Sequence, residues 1–429
     1  MTINNNAKNK HIVDFLVAVL FISNAIDSFI LSFTSRSFII PFQYALMAFA
    51  IIYVLYYKRL YTKNRMYGYF VAIILYYGIL SLFSSDLSLT FNYMIKFVLP
   101  LPFFAVGYSA FRDLETFKYF IERSAVLLLY FVVYIIVVSI FRIGPGIYRY
   151  TLVTTGYYGI QGLYIPTFLV IIYLFATASY KLHNRRWIVL LSALTFAIQI
   201  IILKRTNIML LIIGVLLYLF YTMRGNFRKV IPALILLAVV FYGVTSTEWF
   251  ESSYMSRYSR FSQDYSLTEE GRFMEYSFVW NQISKSADKL IFGTKEVFND
   301  WETLSYEWKV GGQRQLHSSY AQLLWNGGLL GIMIFLMYKY SIFKKLTLYY
   351  SRTEHSRHLR KLGISLLILV LLNDLSGGIT YLTYNTFIYI LFGALLRIGR
   401  EEYFLKHFSR VNMAEPDGTQ INLVDEGGE

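Results

Sequence analysis

The chain contains a series of apolar runs, each long enough to cross a lipid bilayer. About 20 apolar residues are needed to span a hydrocarbon core of roughly 30 Å. Backbone groups in lipid must pair within the chain, and these runs lack the alternating pattern of barrel strands, so we expect helices. The sequence therefore predicts an all-α, polytopic membrane protein of about 12 transmembrane helices. The predicted spans are 12–33, 37–57, 66–83, 91–110, 124–142, 157–180, 186–203, 206–222, 228–245, 318–338, 361–380 and 381–397.

The composition also favours lipid as the solvent of the chain. Only 15% of the 429 residues are charged, whereas 56% are hydrophobic. A soluble domain carries about 25% charged residues, so this chain has too few polar side chains to cover a globular surface. The absence of cysteine excludes disulfides, thiolate metal ligands and thiol nucleophiles.

The distribution of basic residues predicts the topology. With an even number of spans and a cytoplasmic N-terminus, the segments predicted inside hold 26 of the 40 Lys and Arg residues, as the positive-inside rule requires. We therefore interpret the net charge of +14 as a topology signal and expect no nucleic-acid partner. No cleavable signal peptide is expected, because the polar start precedes a long apolar run without a small-residue cleavage site.

The spans divide the chain into four parts. Nine helices are followed by one large extracytoplasmic loop, three further helices and a cytoplasmic tail, which becomes acidic and solvated from about residue 411. The boundaries are 1–245, 246–316, 317–397 and 398–429.

The large loop is expected to carry amphipathic helices. Ser266 and Glu269 have the spacing of a helix-capping box, and an apolar stripe at helical spacing follows them. Such a helix either lies on the outer membrane surface or packs on its neighbours, and the stripe alone does not choose between these arrangements. The stripe consists of Phe273, Tyr276, Trp280, Ile283 and Ala287.

A basic turn on the predicted outer side opposes the topological bias. Lys204 and Arg205 lie between two spans, and Thr206 or Asn207 can cap the helix that follows. The positive end of that helix and the two side chains together form a candidate anion site. The alternative is a pair of snorkelling side chains that mark a helix end.

Two further residues on the outer side are candidates for chemistry. Arg272 lies near the start of the loop helix, where its guanidinium either binds an anionic headgroup or is simply solvated. His317 directly precedes a span, and the dipole of a helix N-terminus favours the neutral ring, which can accept a proton from a hydroxyl. The alternative for His317 is an ordinary hydrogen-bonding histidine.

Charged residues inside spans are expensive in lipid and are functional candidates. Asp27, Lys96 and Asp374 are predicted in the outer half of the membrane. They either pair structurally, or Lys96 helps to hold an anion while an aspartate orients a base. His355 and His358 are spaced three residues apart, but the surrounding arginines repel a cation, so no metal site is expected there.

The stretch 317–331 resembles the histidine motif that ends the large periplasmic loop of the O-antigen ligase and polymerase family. In that motif an aromatic residue, a polar residue and two glycines follow the histidine. Tyr320, Asn326, Gly328 and Gly331 match these positions. Many members have Glu where this chain has Asn326.

Two upstream elements extend the resemblance, which is strongest over about 200–340. Gly271-Arg272, with Trp280 and the later Gly293, looks like the arginine-tryptophan helix of the family. The turn 204–206 is similar to the arginine turn that precedes the loop in that family. The three elements occur in the same order here.

The resemblance implies a metal-independent glycosyltransferase that uses an undecaprenyl-pyrophosphate-linked glycan on the outer face of the cytoplasmic membrane and needs no cofactor. It implies that Arg205 and Arg272 bind the donor pyrophosphate and that His317 activates the acceptor hydroxyl. We add Lys204, Lys96, Tyr320 and Arg314 as candidate substrate-binding residues.

Three functions stay open. The first is a polymerase that elongates O-antigen, capsule or exopolysaccharide on a lipid-linked repeat unit, with a chain-length regulator and a flippase as possible partners. The second is a ligase that moves the glycan to lipid A core or protein. The third is a flippase for the lipid-linked oligosaccharide, which is disfavoured because the chain has no internal repeat.

Overall fold

The computed structural model describes residues 2–28, 36–58, 66–142, 163–202, 204–222, 271–298, 316–349 and 354–414. In these ranges the chain forms helices and no strand. The helices are α1 (Thr2–Ser28), α2 (Arg36–Lys58), α3 (Met66–Ser81), α4 (Leu87–Val98), α5 (Phe103–Ala110), α6 (Leu114–Ile140), α7 (Tyr164–Ser179), α8 (Arg185–Ile202), α9 (Arg205–Thr222), α10 (Gly271–Ile283), α11 (Ala287–Phe292), α12 (Ser319–Tyr349), α13 (Glu354–Ser376) and α14 (Leu382–Ala414).

Within the described residues, seven helical segments are long and apolar enough to cross a membrane, and α3, α7 and most of α9 are shorter apolar helices. The chain is therefore a helical membrane protein. The predicted span 228–245 lies outside the described residues, so the total of twelve stays a prediction. The seven segments are Lys10–Ser28, Ile39–Tyr56, Leu87–Ala110, Leu114–Ile140, Arg185–Ile202, Ser319–Tyr349 and Leu382–Glu401.

The predicted span 91–110 is divided into two helices. It begins earlier than predicted, because the Asp86 side chain accepts a hydrogen bond from the Leu89 N–H at 3.0 Å and caps α4. Pro100 and Pro102 lack backbone N–H groups and lie between α4 and α5, so the helical hydrogen bonding is interrupted there.

The centre of the bundle is α14. Most residues of its apolar part, Leu382–Glu401, are buried. This part of the helix packs closely against α5. A Cβ atom on Gly393 would lie 2.1 Å from the Phe104 carbonyl oxygen, so this glycine allows the two backbones to meet. The apolar part of α14 is thereby fixed against α5.

Helix α12 is longer than the predicted span 318–338, since it continues to Tyr349, but it is kinked at Gly328, where a φ of 60° and a ψ of −157° are not helical. Lys339 is therefore inside a helix and is buried. Its Nζ atom lies 3.7 Å from Oδ2 of Asp374 on α13. Lys339 directly follows the predicted span 318–338 and was counted among the basic residues of the next inside segment. Its placement in a loop is wrong, because the ion pair with Asp374 allows this lysine to be enclosed within a helix.

Candidate functional site

The candidate site is built around the first residues of α12. The predicted helix start directly after His317 is confirmed, since α12 begins at Ser319. The Ser318 carbonyl accepts the first helical hydrogen bond, from the Gln322 N–H at 2.9 Å. The Gln322 side chain donates to the Leu316 carbonyl at 2.7 Å. The backbone on both sides of His317 is therefore fixed.

A buried carboxylate on α10 caps this helix start. Oε2 of Glu275 accepts the backbone N–H groups of His317 and Ser318 at 3.0 and 3.1 Å. Its Oε1 atom lies 3.5 Å from Nδ1 of His317, whose side chain is 39% exposed. Tyr276, next to Glu275, shares a hydrogen bond of 2.5 Å with the Ser318 hydroxyl. A half-exposed imidazole is thus held against a fully buried carboxylate.

The turn between α13 and α14 approaches His317 from another direction. A Cβ atom on Gly377, which has a φ of 118°, would lie 2.1 Å from the His317 carbonyl oxygen. Only glycine allows this contact, because any side chain would collide with the His317 carbonyl and because other residues rarely adopt this positive φ. The Ile379 N–H then donates to the Ser319 hydroxyl at 3.0 Å. Three parts of the bundle therefore meet at His317.

The structure brings Lys204 to the same turn. Its Nζ atom lies 3.7 Å from the centre of the Tyr164 ring, which is a close cation–π contact. Tyr164 stacks on Tyr381 at 5.7 Å, and Tyr381 closes the α13–α14 turn, since its N–H donates to the Gly378 carbonyl at 3.0 Å. Two of the predicted site residues, Lys204 and His317, therefore border one turn.

The basic turn is anchored differently from our expectation. The Asn207 side-chain nitrogen lies 2.9 Å from each of three acceptors, which are the Leu163 carbonyl, the Thr167 hydroxyl and the Gln199 amide oxygen. Asn207 is fully buried, so its side chain ties α9 to α7 and α8 and does not cap α9. The prediction of an Asn207 cap was wrong, because Asn207 is the third residue of α9 and its side chain has interior partners.

Several predicted positions are described only in part. The backbone of Arg205 opens α9, and the backbone of Arg272 is the second residue of α10. The side chains of both arginines lie outside the described residues. The same holds for all of Arg314 and for the predicted capping box, Ser266 and Glu269.

Tyr320 and Lys96 are directed to other parts of the bundle. The Tyr320 hydroxyl donates to the Leu371 carbonyl on α13 at 3.1 Å. Nζ of Lys96 lies 4.7 Å from the centre of the Tyr93 ring, and Tyr93 stacks on Phe298 at 6.1 Å. Lys96 is thus connected to the segment 271–298 through Tyr93.

The apolar stripe predicted for the loop helix was wrong in two respects. Helix α10 ends at Ile283, and Ala287 begins the separate helix α11, which Ser286 caps. Trp280 is 50% exposed, whereas Val279 and Ile283 are buried. The reason is that the inward bonds of Glu275 turn the face at positions i, i+4 and i+8 toward α12.

The residues around Gly328 in α12 contact the end of α11 and the segment that follows it. The Thr294 N–H donates to the Trp325 carbonyl at 2.8 Å, and the Phe298 N–H donates to Oδ1 of Asn326 at 2.9 Å. Gly328 has a φ of 60°, and a Cβ atom there would lie 2.5 Å from the Ile291 carbonyl. Asn326 therefore has a structural partner in this chain, the backbone N–H of Phe298.

The aspartates inside the spans have separate partners. Asp27 accepts hydrogen bonds from the Gln43 side chain at 2.9 Å and from the Thr383 hydroxyl at 2.5 Å, whereas Asp374 pairs with Lys339. Within the described ranges, no group of three or more metal-ligating side chains was found.

Sequence analysis missed Glu275, whose carboxylate lies 3.5 Å from Nδ1 of His317. An acidic residue three positions after Arg272, within an otherwise apolar helix face, was the available signal. Comparison with protein-family models and with curated proteins found no match. The fold and the site together define a helical membrane protein with a half-exposed histidine at a helix start, whose backbone N–H is bound by a buried carboxylate.

Proposed function

We propose that this chain is a polysaccharide polymerase. It transfers a growing glycan from undecaprenyl pyrophosphate to a lipid-linked repeat unit, on the outer face of the cytoplasmic membrane. The proposal includes about twelve transmembrane helices, cytoplasmic termini and a large extracytoplasmic loop over 246–316. It is supported by the family resemblance over about 200–340 and by the arrangement around His317.

The observation that carries the proposal is the half-exposed His317 ring at the start of α12. Its backbone is held by Glu275, and its side chain is 39% exposed. A general base must reach its substrate while staying in a fixed position. The His317 ring meets both requirements.

The proposed reaction is a direct displacement. The acceptor hydroxyl oxygen attacks the anomeric carbon of the donor glycan and forms the new glycosidic bond. The bond between that carbon and the pyrophosphate oxygen breaks, and its electron pair leaves with the lipid pyrophosphate. The hydroxyl proton moves to His317 and then to water. The configuration at the anomeric carbon is inverted.

The leaving pyrophosphate gains negative charge in the transition state, and positive groups aimed at it lower the barrier. We assign this role to Arg205 and Arg272, with Lys204 next to Arg205 in the sequence. Guanidinium groups bind phosphate oxygens with two parallel hydrogen bonds, so the proposed reaction needs no metal. The segment 271–298 covers the site and excludes water, which would hydrolyse the donor.

The test is elongation by the purified protein in lipid nanodiscs, with a synthetic lipid-pyrophosphate repeat unit as the only substrate. A ladder of products is expected. Products that appear only after a second acceptor is added would favour a ligase and contradict the polymerase.

Matched histidine variants test the assignment of the base. We expect His317→Gln to lower the elongation rate by about 10²- to 10⁴-fold, the usual contribution of a general base. His183→Gln, in an exposed turn before α8, serves as the control and should keep the native rate. Equal rates for His317→Gln and the native protein would remove His317 from the reaction.

A further inference from the structure

We infer that a polar cluster on α1, α2 and α4 binds a sugar ring of the lipid-linked glycan. The inference rests on the proposed function, which supplies the glycan, and it adds a binding site to the one at His317. The ligand part is a neutral ring rich in hydroxyl groups and not the pyrophosphate. The polar cluster consists of Asp27, Gln43, Tyr44, Asn92, Tyr93 and Lys96.

The members of the polar cluster lie within segments that are long and apolar enough to cross a membrane. The side chains of Tyr44, Asn92 and Lys96 are half-buried, so part of each is open to its surroundings. Polar side chains within membrane spans face the protein interior or a water-filled cavity, because contact with lipid is costly. The polar cluster therefore borders a hydrated cleft between the helices.

Hydrogen bonds fix the polar cluster in place. The Gln43 side chain donates to Oδ1 of Asp27 at 2.9 Å, and the Thr383 hydroxyl of α14 donates to Oδ2 at 2.5 Å. The Tyr44 hydroxyl donates to Oδ1 of Asn92 at 2.8 Å. Among the residues that the structure describes, the NH₂ group of Asn92 has no acceptor. This group can therefore donate to a ligand in the cleft.

The charges of the polar cluster fit a neutral ligand. Asp27 and Lys96 have opposite charges and interact electrostatically, so they stabilise each other within the spans. The other members are amides and tyrosines. Amide and hydroxyl groups bond sugar hydroxyls as donors and acceptors, and tyrosine rings add large apolar faces. A pyrophosphate would require an excess of positive charge, which these six residues do not have.

Helix α4 has a polar face and an apolar face. Asn92, Tyr93 and Lys96 belong to the polar cluster, whereas Phe91 and Met94 line an apolar groove between α3 and α4. The Phe91 side chain is 68% exposed, which means contact with lipid when the helix is in a membrane. Phe91 and Asn92 are neighbours in the chain, so they report on lipid and on the cleft at nearly the same depth.

Two connections join the polar cluster to the candidate site. Thr383 lies in the first turn of α14, directly after the turn in which Gly377 contacts the His317 carbonyl. Tyr93 stacks on Phe298 at 6.1 Å, and Phe298 belongs to the segment that docks on α12. A glycan with its reacting end at His317 thus has a second contact in the cleft. Binding of such a remote sugar helps to position the reacting end.

Cysteine accessibility tests whether the cleft is hydrated. The native chain contains no cysteine, so a single introduced thiol reports only its own position. In nanodiscs, Asn92→Cys should react with a charged methanethiosulfonate at least about tenfold faster than Phe91→Cys, because the reactive form is the thiolate, which lipid disfavours. Equal rates would overturn the inference.

Hydroxyl-radical footprinting of the native protein gives the same test without a variant. Tyr44 and Tyr93 should be oxidised more than Phe91, since the radicals form in water. If Phe91 is oxidised as much as the two tyrosines, the cleft is not hydrated and the inference fails.

Protection from labelling tests whether the cleft takes a sugar. The probe is the synthetic lipid-pyrophosphate repeat unit, and the control is the same lipid pyrophosphate without sugar. At ten times its dissociation constant for Asn92→Cys, the repeat unit should slow labelling about tenfold by occupancy. The lipid pyrophosphate should leave the rate unchanged. Equal slowing by both compounds, or by neither, would overturn the sugar assignment.

The outcomes separate the two proposals. Selective protection by the repeat unit, without elongation by the native protein, rejects the polymerase and leaves the sugar site intact. Elongation by the native protein, without selective protection, rejects the sugar site alone.

Discussion

Two contacts between a carboxylate and a basic side chain involve α12, and their surroundings are opposite. At the helix start, Glu275 holds His317, whose side chain is 39% exposed. Within the bundle, Lys339 and Asp374 lie 3.7 Å apart, with side chains only 6% and 4% exposed. The first contact has one face open to a substrate, and the second is enclosed by protein.

The two contacts lie on opposite sides of the kink at Gly328, so the first part of α12 borders the candidate site and the second part belongs to the interior packing. The charge of Lys339 is surrounded by aromatic rings, whose centres lie 4.9 to 5.9 Å from its Nζ atom. The enclosed Lys339–Asp374 pair, called the inner pair below, stabilises the packing of α12 against α13. The contact between Glu275 and His317, called the outer contact below, involves a side chain that is partly exposed to solvent. The rings belong to Phe335, Tyr338 and Tyr389.

The largest expected effect comes from breaking the inner pair. Asp374→Asn leaves the Lys339 charge buried without its counter-charge, which typically costs about 3–5 kcal/mol. We expect the free energy of unfolding to fall by this amount, measured by denaturant titration in mixed micelles.

The double variant Lys339→Met with Asp374→Leu is the control. It replaces both charges with apolar groups of similar volume and should recover most of the lost stability. The elongation rate per folded molecule should stay close to native in the double variant. A stable Asp374→Asn protein would mean that the inner pair is not a structural element.

A smaller effect is expected where the segment 271–298 docks on α12. Gly328→Ala places a Cβ atom 2.5 Å from the Ile291 carbonyl at a φ of 60°, and such a residue costs about 1–3 kcal/mol. Hydrogen exchange should accelerate in 271–298 and stay native in α13. The outer contact would thus be loosened without change to the inner pair.

Gly68→Ala is the matched control for this variant. Gly68 lies in α3, and no atom lies within 4 Å of a Cβ atom added there. Alanine in a helix is favoured over glycine by up to about 1 kcal/mol, so this variant should be neutral or slightly more stable. Equal exchange in 271–298 for both alanine variants would argue against the docking role of Gly328.

The sequence predicted the helices well where a local signal exists. Apolar runs mark the spans, and Ser318 and Ser319 mark the start of α12 because hydroxyl side chains favour helix N-termini. The break in the span 91–110 was also visible in principle, since Pro100 and Pro102 lack N–H groups. A composition-based scan for apolar runs does not register such breaks.

The sequence could not predict which side chains meet across the bundle. Lys339 follows a predicted span and was therefore counted with the basic residues of a loop. Its partner Asp374 lies on a different helix, so the sequence does not indicate the ion pair. Asn207 is a residue type that often caps helices, yet its side chain donates hydrogen bonds to acceptors at the start of α7 and on α8. Glu275 is one of many acidic residues in the chain. The role of each of these three residues depends on contacts between helices, and the periodicity of the sequence does not predict such contacts.

The smallest expected effect comes from removing the Tyr276 hydroxyl, which lies beside the contact between Glu275 and His317. Tyr276→Phe removes the hydroxyl that bonds Ser318 at 2.5 Å, and the loss of one such bond costs about 1 kcal/mol. Tyr340→Phe, at a site where the ring is 64% exposed, is the control. We expect exchange of the α10 amides to rise modestly in Tyr276→Phe only. If both variants exchange as the native protein does, α10 is held by Glu275 and its buried apolar face alone, and the hydroxyl adds nothing to the positioning of His317.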